Sequence, residues 1–528
     1  MKHKIFAIIG AGLLLLSVGS CREENDVLSN FSYEDHLVFA AADTSYAAKF
    51  DLIWKSLNQY YAIWDLEAEY GLDWDAVYDE YYPQFVALDQ RAKNDTVKDE
   101  ELKTLLGKVL NPLHDGHFSM DVKNHMTGNH VTFQPSTVRV ASRDDWDISK
   151  SFSPVLDYYA NVANGEVETD SDGNPIVMEH STNPSILVTQ FKNTPGMGLM
   201  WALEKIQELE ALPEPTEMQA FQLQQLKNMV EEIGMISGKP VPTGISIFND
   251  VAEKYSFLNV PGFDYIDPGF AQNSLAIKFA LLKGNIAYFH INAFELTPYM
   301  NANDCKELFN MDNPVTQQLV AKVKQVWQSW FDAVQTLHQQ GTLGGVIIDL
   351  RSNGGGQMDD SKYVVGSLVP DDYICFGYQR FKRGYGRFDY SPLMPARVPC
   401  LDEPHETITE PVVVMINSLS VSMAESSALC ARTLPNGKVI GKRSYGAICA
   451  LTNNSYSSFN YSGFIGVENK TCIFGYLPSM ASFTLDKKLI EGVGVTPDIE
   501  VDLDTKLFET TGRDTQLDRA LQYIRTGQ

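Results

Sequence analysis

Large apolar residues in the first hundred positions recur at the three- to four-residue spacing of an amphipathic helix. One such run predicts a helix over 50–61. Another predicts a helix that begins after the run Asp73-Trp74-Asp75 and stops at Pro83, because proline cannot donate the next helical hydrogen bond. A third run predicts a helix over 98–110. Together these patterns indicate an N-terminal helical domain over 46–124, with aromatic side chains in its core.

From residue 284 onward, short apolar runs of strand length alternate with helical patterns. Strands are predicted around Val346 and over Val412–Ile416, and a long amphipathic helix after Pro314. This alternation is typical of an α/β fold with helices packed on a sheet. We therefore predict an α/β core over 284–510, followed by a C-terminal helix over 511–528.

The segment between these regions, 125–283, has a mixed pattern. Strand-like pieces occur at 131–134 and 186–191, and a Gln-rich helical pattern interrupted by prolines covers 197–236. We interpret this segment as a mixed central region that carries a two-helix insertion.

Length and charge narrow the possible partners. The chain has 528 residues, which predicts two or three domains, and a formal net charge of −25. So acidic a chain is not expected to bind nucleic acid, whose phosphates repel it. The six cysteines after Cys21 show no Cys-x-x-Cys spacing, so no zinc site is expected, and no other metal or cofactor is predicted.

The first 21 residues have the pattern of a targeting segment. Lys2 and Lys4 precede an apolar stretch, Ile5–Val18, that is too short to span a bilayer comfortably. The residues that follow, Val-Gly-Ser-Cys, resemble a bacterial lipoprotein box, in which Cys21 is lipidated. We therefore expect a signal peptide over 1–21, a linker over 22–45, and attachment to the membrane through the N-terminal lipid alone.

Candidate chemistry begins at Ser422, where the Val412–Ile416 run is followed by a helical pattern. A serine at a strand-to-helix junction is how several hydrolase folds expose a nucleophile, although serine is also a common helix cap. A second feature is the run of three glycines at 354–356, directly after another predicted strand. Glycines let backbone N–H groups approach a ligand closely, but they also occur in simple tight turns. A phosphate-binding loop is disfavoured because no Gly-Lys-Ser/Thr follows.

Four stretches of the chain resemble the motifs of one known family and occur in the same order as in that family. They are the segment 345–356, Asn417 with the serine-rich 420–425, the loop 441–446 and the segment 491–499. The family is that of the carboxyl-terminal processing (tail-specific) serine peptidases, and the resemblance covers about 284–505. It implies a crotonase/ClpP-like core and polypeptide substrates. Members with a Ser-Lys dyad carry lysine where this chain has Ala447, and the PDZ domain of many members is not recognisable in 125–283.

A second branch of the family, related to the tricorn protease core, uses serine, histidine and glutamate. The run Asp115-Gly116-His117 resembles its Asp-Gly-His motif, and Glu491 fits its glutamate. The resemblance therefore implies Ser422 as nucleophile, His117 as general base and Glu491 as the carboxylate that orients the imidazole.

The same resemblance implies an oxyanion hole made by the N–H of Met423 and an N–H of Gly354 or Gly355. His114 is an alternative base, three residues before His117. Glu425, one turn after Ser422, is expected either on the helix surface or as a carboxylate that supports the site.

The leading hypothesis is a serine endopeptidase or tail-processing peptidase that acts on unfolded or flexible protein segments in the bacterial cell envelope. One alternative is a catalytically inactive homologue that only binds peptides, suggested by Ala447. Another is a glycan-binding surface lipoprotein, which predicts helical repeats across the C-terminal half.

Overall fold

The computed structural model describes residues 41–145, 188–192, 275–282, 284–301, 314–383, 386–449, 464–466, 471–478, 480–507 and 514–528, with a few single positions between 209 and 227. The signal peptide with Cys21, most of the linker and most of the two-helix insertion lie outside these residues. The helices are α1 (Tyr46–Tyr60), α2 (Trp64–Glu69), α3 (Trp74–Ala92), α4 (Asp99–Leu110), α5 (Pro135–Ala141), α6 (Thr297–Met300), α7 (Pro314–Gln339), α8 (Met423–Thr433) and α9 (Thr515–Thr526). The strands are β1 (Ser119–Lys123), β2 (His130–Phe133), β3 (Val188–Lys192), β4 (Ala276–Leu282), β5 (Ile286–Ile291), β6 (Gly345–Asp349), β7 (Tyr373–Phe381), β8 (Met394–Pro399), β9 (Val412–Ile416), β10 (Gly437–Gly441), β11 (Phe464–Ile465), β12 (Ile473–Tyr476), β13 (Met480–Thr484) and β14 (Ile499–Glu500).

The chain divides into two compact units. The first comprises 1–142, 378–394 and 449–483, and the second comprises 143–377, 395–448 and 484–528. The first unit therefore contains the predicted helical domain together with two segments that come much later in the sequence.

Helices α1 to α5 and a four-stranded sheet lie in the first unit. The sheet has the order β11-β12-β1-β2, and its neighbouring strands are antiparallel. The predicted helix over 98–110 is confirmed as α4. The prediction that the second helix stops at Pro83 is wrong, because α3 continues through Pro83 to Ala92.

Phe85 explains why α3 continues. Its side chain is buried, and its ring stacks on Phe50 of α1 at a centroid distance of 4.7 Å. Proline inside a helix costs about 3 kcal/mol. Burying one phenylalanine side chain contributes roughly 1.5–3 kcal/mol, so the turn after Pro83 is stabilised by tertiary packing.

A seven-stranded sheet organises the second unit, in the order β14-β10-β9-β6-β5-β4-β3. The five strands from β14 to β5 are parallel, whereas β4 and β3 are each antiparallel to their neighbour. Every residue of β5, β6 and β9 is buried. Strands buried on both faces read as continuous apolar runs, and the α/β core predicted from those runs is confirmed.

The two faces of this sheet carry different helices. On one face, Val346 and Ile348 of β6 pack in a cluster with buried residues of α7 and α8. On the other face, Ile347 packs with Leu517 and Leu521 of α9. The side chains of a strand alternate between faces, so a single apolar run supplies both clusters.

Arg351 fastens helix α9 to the end of β6. Its guanidinium donates to both carboxylate oxygens of Asp349, at 2.9 and 2.6 Å, and to both oxygens of Asp514, at 3.1 and 2.8 Å. Asp514 also caps the N-terminus of α9, where it accepts from the N–H groups of Gln516 and Leu517. The arginine and both aspartates are completely buried.

Across the described ranges, no helix combines the length and the apolar character needed to cross a membrane. The C-terminal half contains the parallel sheet, so the helical repeats predicted by the glycan-binding alternative are not found among its described residues.

Candidate active site

Ser422 lies at the sharp turn between β9 and α8. It is the residue directly before α8, and its backbone angles are φ 57° and ψ −112°. A residue other than glycine rarely adopts a positive φ, and this conformation costs on the order of 1–3 kcal/mol. Such strain is typical of turns that expose a nucleophilic serine above the end of a strand. The backbone conformation therefore distinguishes Ser422 from an ordinary helix cap.

The glycine loop after β6 packs directly against this turn. A Cβ added to Gly355 would lie 2.6 Å from the Cβ of Ser422 and 2.9 Å from the carbonyl oxygen of Val421. Gly355 has φ +89°, a conformation that favours glycine. The Val421 N–H donates to the carbonyl oxygen of Asn353 at 2.9 Å, which fastens the two loops together. The structure thus brings the predicted nucleophile and the predicted glycine loop into contact.

The predicted oxyanion donors differ in whether their N–H groups already have a hydrogen-bond acceptor. The Gly354 N–H donates to the carbonyl oxygen of Asn292 at 3.2 Å, and the Gly355 N–H donates to Oδ1 of Asn353 at 2.8 Å. Met423 is the first residue of α8, where an N–H has no acceptor within its own helix. A glycine N–H can therefore bind an oxyanion only if it exchanges its present acceptor, and the predicted oxyanion hole stays a prediction.

Glu425 is completely buried beneath the Ser422 turn, so it does not lie on the helix surface. Its Oε2 accepts from the N–H groups of Ser422, at 3.0 Å, and Ala447, at 2.8 Å. Its Oε1 accepts from the Ser444 hydroxyl, at 2.5 Å, and from the Gly446 N–H, at 2.9 Å. Burial raises the pKa of Glu425 to about 7, although these hydrogen bonds favour its charged form.

Glu491 lies in the same unit and is also completely buried. Its Oε2 accepts the N–H of Ile448 at 2.9 Å. The segment 444–448 therefore lies between two buried carboxylates, Glu425 and Glu491. Ser444 and the Ser-x-x-Glu spacing of Ser422 and Glu425 were not used in the sequence analysis, although that spacing is a known capping signature.

His117 belongs to the first unit, on the turn that precedes β1. Oδ1 of Asp115 accepts the N–H groups of His117, at 2.8 Å, and Phe118, at 3.0 Å. Burial lowers the pKa of the His117 imidazole to about 4. Its Nδ1 is buried and has no hydrogen-bond partner among the described residues. The imidazole is therefore neutral at pH 7 and able to accept a proton, and its partnership with Ser422 stays a prediction.

His114, the alternative base, already has a carboxylate partner. Its Nδ1 lies 2.7 Å from Oε2 of Glu67, a completely buried residue, and its backbone N–H donates to Oε1 of the same carboxylate at 2.7 Å. Its ring stacks on Tyr70 at a centroid distance of 4.0 Å. These contacts give His114 a clear structural role in its turn.

Ala447 occupies the position of the dyad lysine. It is completely buried, and its N–H is bound to Glu425. The nearest lysine in the sequence, Lys442, pairs with Glu500 at 2.6 Å and with Asp502 at 3.1 Å. Lys442 is therefore held by surface carboxylates and is a poor candidate for the base.

Comparison with known proteins finds similarity to one peptidase family over part of the chain. Residues 285–501 match the model of Peptidase family S41. A carboxy-terminal-processing protease of Bartonella bacilliformis (strain ATCC 35685 / KC583 / Herrer 020/F12,63) is 29% identical over 160 residues. That match covers 30% of this chain and spans 31% of the relative's length.

Two solved structures are similar to this chain over most of its length. A protein from Parabacteroides merdae ATCC 43184, provisionally described as a peptidase, has a TM-score of 0.47 at 16% identity, with 91% of this chain and 96% of that chain covered. Mature CPAF complexed with lactacystin has a TM-score of 0.45 at 10% identity, with 92% and 100% covered.

The segment that matches the family model includes the candidate nucleophile. It holds the parallel strands β5, β6, β9 and β10, the glycine loop and the strained Ser422 turn. Residues 285–501, which contain the candidate nucleophile and the glycine loop, are similar in sequence to Peptidase family S41.

Proposed function

We propose that the chain is a serine-type peptidase that hydrolyses peptide bonds in flexible or unfolded protein segments. Ser422 carries this proposal: it is a serine in a strained conformation, in contact with the glycine loop and inside the segment that matches the family. The similar Bartonella protein is named a carboxy-terminal-processing protease, and tail processing is the form of the activity proposed for this chain. The proposed core is of the crotonase/ClpP-like type, which agrees with its order of strands and helices.

In the proposed reaction, the Ser422 hydroxyl oxygen attacks the carbonyl carbon of the scissile peptide bond while His117 takes the hydroxyl proton. The negative oxygen that forms is bound by the Met423 N–H and by a glycine N–H of the loop. His117 then gives its proton to the leaving amine, and an acyl-serine ester remains. Water attacks this ester with the help of the same imidazole, which releases the new carboxylate. Glu491 stabilises the His117 imidazolium that forms both when the ester is made and when it is hydrolysed.

The test is labelling of the purified chain with a fluorophosphonate probe, with the modified residue located by mass spectrometry. We expect labelling at Ser422, none in Ser422→Ala, and a loss of about 10²–10⁴ in rate in His117→Ala, because the hydroxyl then lacks its base. Hydrolysis of unfolded casein, followed as new amino termini, is expected to fall in parallel.

Two further variants serve as controls. His114→Ala should keep most of the labelling, since Glu67 already engages that ring. Ala447→Lys should not raise it. Labelling that depends on His114 instead of His117 would contradict the assigned base, and a clear gain in Ala447→Lys would favour a dyad. A wild-type chain that binds peptides but is never labelled would establish the inactive alternative.

We also propose that the protein is attached to the cell envelope through a lipid on Cys21. The support is the basic start, the apolar stretch and the lipoprotein box of the first 21 residues. In a bacterial host, the wild-type chain is expected in the membrane fraction and Cys21→Ser in the soluble fraction. Equal distribution of the two would exclude the lipid anchor.

A further inference from the structure

Glu425 connects the Ser422 turn to the loop before Ala447. Each of its two carboxylate oxygens accepts two hydrogen bonds, and all four distances lie between 2.5 and 3.0 Å. A carboxylate has about four acceptor positions, so the ionised side chain is fully satisfied by these partners. No other described side chain accepts a hydrogen bond from the Ser422 backbone N–H.

The contacts extend beyond Glu425 on the side of the loop. The Ser444 hydroxyl donates to Glu425 and at the same time accepts the Val495 N–H at 2.6 Å. The Gly446 carbonyl oxygen accepts the Gly492 N–H at 2.8 Å. Gly492 and Val495 both lie in the segment 491–499, which begins with Glu491. A single carboxylate thus fixes the nucleophile turn relative to the segment that carries the proposed triad acid.

We propose that Glu425 is a positioning residue for Ser422, and that its ionised form is required to hold the nucleophile turn in its strained conformation. This inference rests on the proposed function. It goes beyond the triad, because Glu425 acts through backbone N–H groups and exchanges no proton with the substrate.

The charge state matters because all four partners are donors. A proton on either oxygen would point at an N–H or an O–H group and would remove at least one acceptor. The Ser444 hydroxyl could accept this proton through its second lone pair, but it would then no longer donate to Glu425, and the three N–H groups would bind a neutral oxygen in place of a charged one. Protonation therefore weakens or releases the bond from the Ser422 N–H. A strained turn that loses this bond is free to relax, and displacement of a reacting atom by about 1 Å can cost 10²-fold in rate.

The surroundings of Glu425 bring this protonation near neutral pH. Burial is the main reason that its pKa is raised to about 7; the hydrogen bonds from Ser444, Ala447 and Gly446 oppose the increase, and the negative charge of Glu491 adds to it. The pKa of His117 lies well below, at about 4. Loss of activity between these two values on acidification is therefore expected from Glu425 and not from the proposed base.

The experiment measures the rate of fluorophosphonate labelling of Ser422 in the full chain from about pH 5 to about pH 9. For the wild type we expect a rate that rises with pH, is half-maximal near pH 7 and levels off about one pH unit above that. Glu425→Gln should label about 10–100-fold more slowly at high pH and should lose this pH dependence, because an amide cannot ionise or accept four bonds. Glu425→Asp keeps a titrating carboxylate and should keep a pH-dependent rate.

Two variants keep the test decisive if Glu425→Gln does not fold. Ser444→Ala removes a donor to the charged form, so the midpoint of the pH profile should move to higher pH. Asp360→Asn is the matched control: Asp360 is another buried carboxylate of the same unit, its pKa is raised to about 6 by burial, and it accepts the N–H groups of Leu296 and Thr297. This variant should leave the profile unchanged.

Three results would overturn the inference: a flat wild-type profile, an unchanged profile in Glu425→Gln, or loss of the pH dependence in Asp360→Asn. Absence of Ser422 labelling at every pH would instead overturn the proposed function, so the two failures are distinguishable. Circular dichroism of each variant identifies those that are unfolded.

Discussion

The Gly355→Ala variant is expected to lose about 10² or more of the labelling rate at Ser422, because the new methyl group displaces the nucleophile turn. The new Cβ would lie 2.6 Å from the Cβ of Ser422, which is closer than Cβ atoms approach other atoms in proteins. The atoms that it would meet belong to the turn itself and not to the end of a flexible side chain, so they cannot easily move away. The positive φ of Gly355 adds about 1–2 kcal/mol, and overpacking adds roughly 1–3 kcal/mol. Stability should therefore fall together with labelling.

Gly354→Ala is the matched control for this prediction. Gly354 is exposed, and a Cβ added there would meet no atom within 4 Å. We expect this variant to unfold like the wild type and to label like it, because alanine keeps the backbone N–H that is proposed for the oxyanion hole. The two substitutions are identical and adjacent, so a difference between them reports the close approach of Gly355 to Ser422. If Gly355→Ala were labelled as fast as the wild type, Gly355 and Ser422 would not be in close contact in solution.

The Arg351→Met variant is expected to lose about 3–5 kcal/mol of unfolding free energy, since it leaves two buried carboxylates without their partner. Burial alone would raise the pKa of Asp349, but the Arg351 guanidinium outweighs burial and holds this pKa below its ordinary value. Without the guanidinium, the folded-state pKa should rise above the unfolded one. The variant's deficit should then be largest at neutral pH and shrink as the pH falls and the carboxyls take up protons.

Arg432→Met provides the comparison. Arg432 pairs with Asp498 at 3.1 Å, and its side chain is 37% exposed. Partly exposed pairs of this kind contribute about 0–1 kcal/mol, so the same substitution should have a small effect there. Urea unfolding followed by circular dichroism, at neutral and at acidic pH, measures both variants. Equal losses in the two, or a deficit in Arg351→Met that does not change with pH, would contradict the assigned role of the buried cluster.

Local sequence patterns were reliable where one physical effect dominates. The apolar run Val412–Ile416 predicted strand β9, because an uninterrupted run of this length must be buried on both faces. The amphipathic pattern after Pro314 likewise predicted α7, which begins at that residue. Pro83 shows where local reasoning failed: the cost of an interior proline was outweighed by the packing of Phe85 on Phe50, two residues that are far apart in sequence.

The sequence by itself therefore determined the α/β core, the order of its strands along the chain, and the similarity of residues 285–501 to Peptidase family S41. Only the tertiary structure decided that Ser422 is strained, that Gly355 touches it, and that Glu425 is buried under both the turn and the loop. Secondary structure follows from short-range periodicity, which is written in consecutive residues. The conformation of a turn and the ionisation of a carboxylate depend instead on groups brought together from distant parts of the chain.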